Sequence, residues 1–105
     1  STLFPYTTLF RSEFAVILPE TGIDGATELT ERLRKSVRDL VWTAKGEDFG
    51  ITFSAGLAAL PAPAEHPEEQ DLGRSDMLEQ LFSQADKALY EAKAQGGDRL
   101  KVGAL

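Results

Sequence analysis

Two stretches with helical periodicity, divided by a run that alternates with period two, constrain this chain more than any other feature. Ala26, Leu29, Leu33, Val37 and Leu40 recur at intervals of three and four, which predicts an amphipathic helix over about residues 22–41. Thr21 followed by Asp24 fits a capping box at its start. From Phe49 onward, Ile51, Phe53, Ala55 and Leu57 fall on one face and Thr52, Ser54, Gly56 and Ala58 on the other, the pattern of a strand. Gly56 inside that run marks a bulge or a place where another backbone comes close. Leu78, Leu81, Phe82, Ala85, Ala88, Leu89 and Ala92 then define a second helical stripe, expected to face the sheet. Ser75 or Asp76 is its expected cap and Gly96-Gly97 its stop.

Two shorter runs complete the order. Ala15-Val16-Ile17-Leu18, closed by Pro19, reads as a buried central strand, because proline cannot donate to a ladder. Arg99-Leu100-Lys101-Val102 reads as a short final strand. The order strand, helix, strand, helix, strand predicts an α/β (α+β) fold: one sheet with helices packed on it. Strands joined through a helix are then parallel, with right-handed crossovers. The outer face of the first helix carries Glu28, Glu31, Arg32, Arg34, Lys35 and Arg38, expected to be solvated and paired along the helix. Residues 61–74 read as a polar loop. Its His66, between Glu65 and Pro67, has no second ligand candidate nearby and is assigned no metal or catalytic role.

Length and charge narrow the function classes. A chain of 105 residues is one domain at most. No apolar run approaches the roughly 20 residues needed to span a bilayer, so direct membrane contact by this segment is not expected. A net charge of −6, with no basic cluster, argues against a nucleic-acid partner. A small polyphosphate stays open, because a magnesium ion and one or two cations can neutralise it locally. The absence of cysteine excludes a disulfide framework and fits a reducing cytoplasm.

Four blocks carry a family resemblance: Glu13-Phe14-Ala15-Val16-Ile17-Leu18-Pro19, Thr30-Glu31-Arg32-Leu33-Arg34, Ile51-Thr52-Phe53-Ser54-Ala55-Gly56-Leu57-Ala58, and Ala85-Asp86-Lys87-Ala88-Leu89-Tyr90-Glu91-Ala92-Lys93. In this order and spacing they resemble the C-terminal half of a GGDEF domain. The resemblance implies a truncated nucleotide-cyclase-like palm and diguanylate cyclase activity, in which two GTP are joined into cyclic di-GMP with release of pyrophosphate. It implies Mg2+ as cofactor, GTP and cyclic di-GMP as ligands, and a homodimer in which each domain presents one GTP. It also implies a cytoplasmic domain of a bacterial signalling protein whose parent is in some cases anchored in a membrane. Magnesium is a hard ion that takes oxygen ligands, which is why such chemistry uses carboxylates.

Carried over residue by residue, the family signature falls on Phe10-Arg11-Ser12-Glu13-Phe14. Glu13 matches its second acidic residue and is the candidate catalytic and metal-binding carboxylate. Phe10 and Arg11 stand where the family has glycines, and Ser12 where it has a metal-binding acid. Lys93 matches the lysine that contacts the triphosphate; its place in a last helical turn also suits a cation at the negative end of the helix dipole. Gly97 replaces the arginine of a Gly-Arg-Asn turn, Asp98 takes the Asn position, and Arg99 is the expected substitute phosphate contact. Arg32 matches a position that in some members helps bind product in inhibition, beside the plainer reading of a solvated helix arginine. Asp86 and Tyr90 are expected to have local structural roles.

The peptide Thr2 to Ser12 reads as the one-frame translation of a sequencing adapter. The expectation is therefore that residues 1–12 are an artefact of assembly and that residues 13–105 are the C-terminal part of a GGDEF domain, inactive as written. The alternative is a degenerate, noncatalytic GGDEF module that binds GTP or cyclic di-GMP as a regulatory domain. A third reading, an α/β interaction domain alike in packing only, fits poorly with four ordered blocks.

Overall fold

The computed structural model describes residues 13–60 and 74–104. They form helix α1 (Ile23–Arg38), strands β1 (Trp42–Ala44), β2 (Glu47–Phe49) and β3 (Ala55–Leu57), helix α2 (Arg74–Ala94) and strand β4 (Leu100–Val102). β3 and β4 run parallel, with Ala55 opposite Leu100 and Leu57 opposite Val102, as expected for strands joined through a helix. Backbone bonds from Ala55 N to Arg99 O (3.0 Å) and from Gly103 N to Leu57 O (2.6 Å) continue the ladder at both ends.

The contact between α2 and β3 organises the rest. A β-carbon at Gly56 would collide with the carbonyl oxygen of Ala85 and the backbone of Leu89, so the helix rests directly on the strand. The small side chains Ala88 and Ala92 are buried there together with Leu57. α2 then stops as the sequence foretells: Gly96 N and Gly97 N bond to Lys93 O and Ala92 O, and Gly96 (φ 114°) and Gly97 (φ 75°) take up left-handed backbone.

Several expectations are corrected. Positions 15–18 form no strand, and Phe14 is 89% exposed. A strand exists only where a neighbour pairs with its backbone, and among the described residues β3 pairs with β4 alone. The element order among the described residues therefore begins with a helix. The strand expected from Phe49 onward is split. Its first residue closes a hairpin, β1 against β2, that turns through Lys45 (φ 53°) and Gly46 (φ 81°), the two positive φ values a tight hairpin requires. Only Ala55–Leu57 pairs with β4, which is itself three residues long.

The helices are also shorter or differently turned than expected. α1 ends at Arg38 and has Gly22 as its N-cap with no side-chain cap. Thr21 Oγ1 instead donates to Pro19 O at 2.9 Å, so no capping box forms. Leu29, Leu33 and Leu40 lie open to solvent, while Ile23, Ala26, Thr30 and Val37 are less exposed and Arg34 is buried. Ser75 and Asp76 fall inside the first turn of α2 rather than capping it. Leu78 and Phe82 are exposed, not packed on the sheet. The reason is length: a helix of 21 residues spans about 32 Å, whereas a three-residue strand covers about 10 Å, so the early turns of α2 overhang it. The polar loop with His66 lies outside the described residues, apart from its last position, Arg74, which opens α2.

Gly56→Ala is expected to destabilise the chain by about 3 kcal/mol or more, because neither backbone can yield to the new methyl group. Gly50→Ala, with nothing within 4 Å of its added carbon, should stay within about 0.5 kcal/mol. Urea unfolding followed by circular dichroism checks both.

Candidate functional site

Lys93 sits in the last turn of α2, next to the buried Ala92 that pins the helix to β3. Its ammonium Nζ donates to Glu13 Oε2 at 2.5 Å, across 80 positions of sequence. Both side chains are partly open, at 40% and 35% exposure. The fold thus brings together two of the residues singled out from the sequence. Pairs this exposed contribute on the order of 0.2–1 kcal/mol, so a ligand of suitable charge can exchange partners with them.

Arg99 lies just beyond, at the exit of the turn that follows α2. Its Nε donates to Gly97 O (3.1 Å) and its Nη1 to Gln95 Oε1 (3.4 Å), so the exposed guanidinium folds back over the helix end. Arg32 is elsewhere, on the open face of α1, where it donates to Glu28 at 3.3 Å. Asp86 and Tyr90 are exposed on α2.

Magnesium needs several oxygen ligands at once. Among the described residues no three acidic, imidazole or thiol side chains gather into such a set. Glu13 offers one carboxylate, already engaged by Lys93. The donors among the described residues therefore do not make up a complete magnesium site.

The arrangement holds one feature that the sequence did not disclose. Arg34, expected on a solvated face, is 8% exposed. Its Nη1 donates to Asp98 Oδ1 (2.6 Å) and to Asp98 O (3.0 Å), and its Nε donates to Glu31 Oε2 (3.0 Å) while Nη2 bonds Glu31 Oε1. Asp98 N–H in turn donates to Ser54 Oγ at 3.1 Å. One guanidinium thus joins α1 to the turn between α2 and β4, and Ser54, just before β3, joins the same turn. The Arg34 hydrogen bond holds the Glu31 carboxyl below its ordinary pKa, with the positive charges of Arg34, Lys35 and Arg38 adding to it. The bond to Glu31, followed by those to Asp98, pushes Arg34 upward, so it stays charged at every ordinary pH. The spacing of Glu31 and Arg34 hinted at a helix pair, but nothing in the sequence links position 34 to position 98.

Comparison with known proteins places this geometry in context. The family described as "Diguanylate cyclase, GGDEF domain" matches residues 8–99. Diguanylate cyclase DgcP of Pseudomonas aeruginosa is 40% identical over 90 residues, covering 86% of this chain and 12% of that protein. Diguanylate cyclase A of Treponema denticola is 31% identical over 90 residues, with 86% and 21% covered. The response regulator PleD of Caulobacter vibrioides is 34% identical over 86 residues, with 80% and 16% covered. The chain thus spans between 12% and 21% of the length of these three relatives. A solved active GGEEF domain of a diguanylate cyclase from Vibrio cholerae shares the fold at a TM-score of 0.62 and 22% identity, over 84% of this chain and 48% of that one.

Because the Glu31 pKa is lowered on folding from an ordinary 4.5, the contribution of this carboxylate to stability is complete above that value and is lost as pH falls through the lower, folded value. Glu31→Gln should therefore be less stable than the parent at about pH 6, with the gap closing as the solution is acidified below about pH 4.5. Urea midpoints measured across that range decide it.

Proposed function

The chain belongs to the GGDEF family of diguanylate cyclase domains, and from that premise we propose that it forms the triphosphate-facing part of a domain that condenses two GTP into cyclic di-GMP. The observation that carries the proposal is the Glu13–Lys93 pair. Residues taken from opposite ends of the family pattern stand side by side, at the end of a helix whose position is fixed by its contact with β3.

In the proposed reaction two domains each present one GTP, the 3′-hydroxyl of each nucleotide gives up its proton to solvent and attacks the α-phosphorus of the other, and both bonds to pyrophosphate break, so that two pyrophosphates leave. Negative charge builds on the phosphate oxygens as the new bond forms. A compact ammonium with three donors suits that charge. At rest Lys93 is satisfied by Glu13; an arriving triphosphate replaces the carboxylate as its partner, and Arg99 swings from Gly97 and Gln95 to supply a second cation. Cyclases of this family are in general metal-dependent, typically on magnesium. Glu13 would offer that ion one carboxylate, and Ser12 stands where the family places another. The chain as written is therefore proposed to lack cyclase activity by itself.

A second reading is a regulatory module that binds GTP or cyclic di-GMP without turnover. It is favoured by Gly97, which stands in place of a phosphate-binding arginine. Arg32 is then the candidate contact to product.

With GTP and magnesium, the purified chain is expected to yield no cyclic di-GMP by chromatography, and any product overturns that part of the proposal. Calorimetric titration with inorganic triphosphate tests the site itself. Lys93→Ala should weaken binding by about tenfold, and Glu13→Gln, which frees the ammonium, should tighten it by about two- to fivefold. Equal affinity in the parent and Lys93→Ala contradicts the reading. Binding of cyclic di-GMP that is lost in Arg32→Ala and kept in Lys93→Ala supports the regulatory module instead.

A further inference from the structure

The turn between α2 and β4 combines two adjacent glycines with hydrogen bonds to α1 and to the segment before β3. Gly96, Gly97 and Asp98 have φ values of 114°, 75° and 53° in succession. Two adjacent glycines leave such a segment with wide freedom, and a non-glycine residue in left-handed backbone needs outside support. That support comes from Arg34, the one buried charged residue among the described residues. Its guanidinium grips both the side chain and the carbonyl of Asp98, while Glu31 fixes it from the far side. The Asp98 N–H is held separately by Ser54 Oγ. Asp98 follows Gly97 directly and precedes Arg99, so an unpaired carboxylate there would repel phosphate or capture the neighbouring cations.

We propose that Arg34 is a positioning residue for the triphosphate site: it locks the left-handed turn from Gly96 to Asp98 and draws the Asp98 carboxylate onto α1, so that the turn presents Arg99 to the ligand beside Lys93 and keeps the carboxylate away from both. The proposal rests on the reading of those two cations as phosphate contacts. It goes beyond that reading by assigning a role to a residue whose guanidinium is taken up by Glu31 and Asp98. The planar fork of arginine is needed, because one group must bond two separate partners at once; a lysine ammonium offers a point charge instead.

The test compares the full chain with Arg34→Met, Arg34→Lys, Asp98→Asn and the double variant Arg34→Met/Asp98→Asn, using two readouts. The first is amide exchange and chemical shift at residues 96–99 by nuclear magnetic resonance; the second is calorimetric affinity for inorganic triphosphate. Arg34→Met is expected to speed exchange at Asp98 by about tenfold or more and to weaken triphosphate by about five- to tenfold, with Arg34→Lys in between. Asp98→Asn keeps an oxygen for Arg34 and should bind triphosphate at least as well as the parent. The double variant should recover part of the affinity that Arg34→Met loses, a rescue that loss of packing alone does not give.

A parent that binds triphosphate, together with Arg34→Met variants unchanged in exchange and affinity, overturns the positioning role alone. Equal loss with and without Asp98→Asn overturns the charge-steering part. A parent without any triphosphate affinity overturns the site reading and this proposal with it. Should Arg34→Met fail to fold, Arg34→Lys carries the test, because it keeps the charge and loses the fork that bonds two partners at once. It is expected to speed Asp98 exchange by about two- to fivefold and to weaken triphosphate in step; an unchanged turn and affinity there count against the proposal.

Discussion

Gly56 lets α2 sit on β3 at backbone distance, and the position of the candidate site follows from that approach. With Ala85 and Leu89 against the strand and Ala88, Ala92 and Leu57 buried beside them, the last turn of the helix has one place to be. Lys93 is then fixed at the rim by its neighbour Ala92, close enough to meet Glu13. β4 is fixed as well, because the turn that leaves α2 must deliver Leu100 opposite Ala55. A side chain at position 56 would lift the helix, and the site would lose its reference point.

The core formed in this way is small, with one leucine and two alanines buried among the described residues. Fully burying a leucine contributes about 1.5–3 kcal/mol and each alanine less, so apolar packing at the seam is modest. That gives the polar ties more weight. Arg34 couples α1 to the turn before β4, and Ser54 couples the same turn to the segment entering β3. Elements that share little apolar contact are thereby held in register by directional bonds, which fix angles as well as distances.

The sequence disclosed what depends on local pattern. Helix α2, its Gly96-Gly97 stop, the close approach at Gly56 and the parallel pairing across α2 are legible from spacing and residue type. The four ordered blocks gave the family. What stayed hidden depends on partners distant in the chain. Positions 15–18 have strand composition, but no neighbour among the described residues pairs with them. The apolar stripe of α1 was legible, yet which edge of the helix turns inward was set by Arg34 reaching Asp98, 64 residues away. The hairpin turns at Lys45-Gly46, a weaker signal than an Asn-Gly pair, so the run from Phe49 onward looked like one long strand. At the site, Glu13 and Lys93 were legible as members of a pattern, whereas their contact and the role of Arg34 emerge only in three dimensions.

The most direct measurement is a residue-by-residue titration of the isotopically labelled chain with GTP, followed by nuclear magnetic resonance. If the site is the end of α2, shift changes concentrate at Glu13, Lys93 and residues 96–99 and saturate together with a single dissociation constant. Changes confined to the outer face of α1 around Arg32, or none at any GTP concentration, would contradict the assignment of Glu13 and Lys93 to the triphosphate.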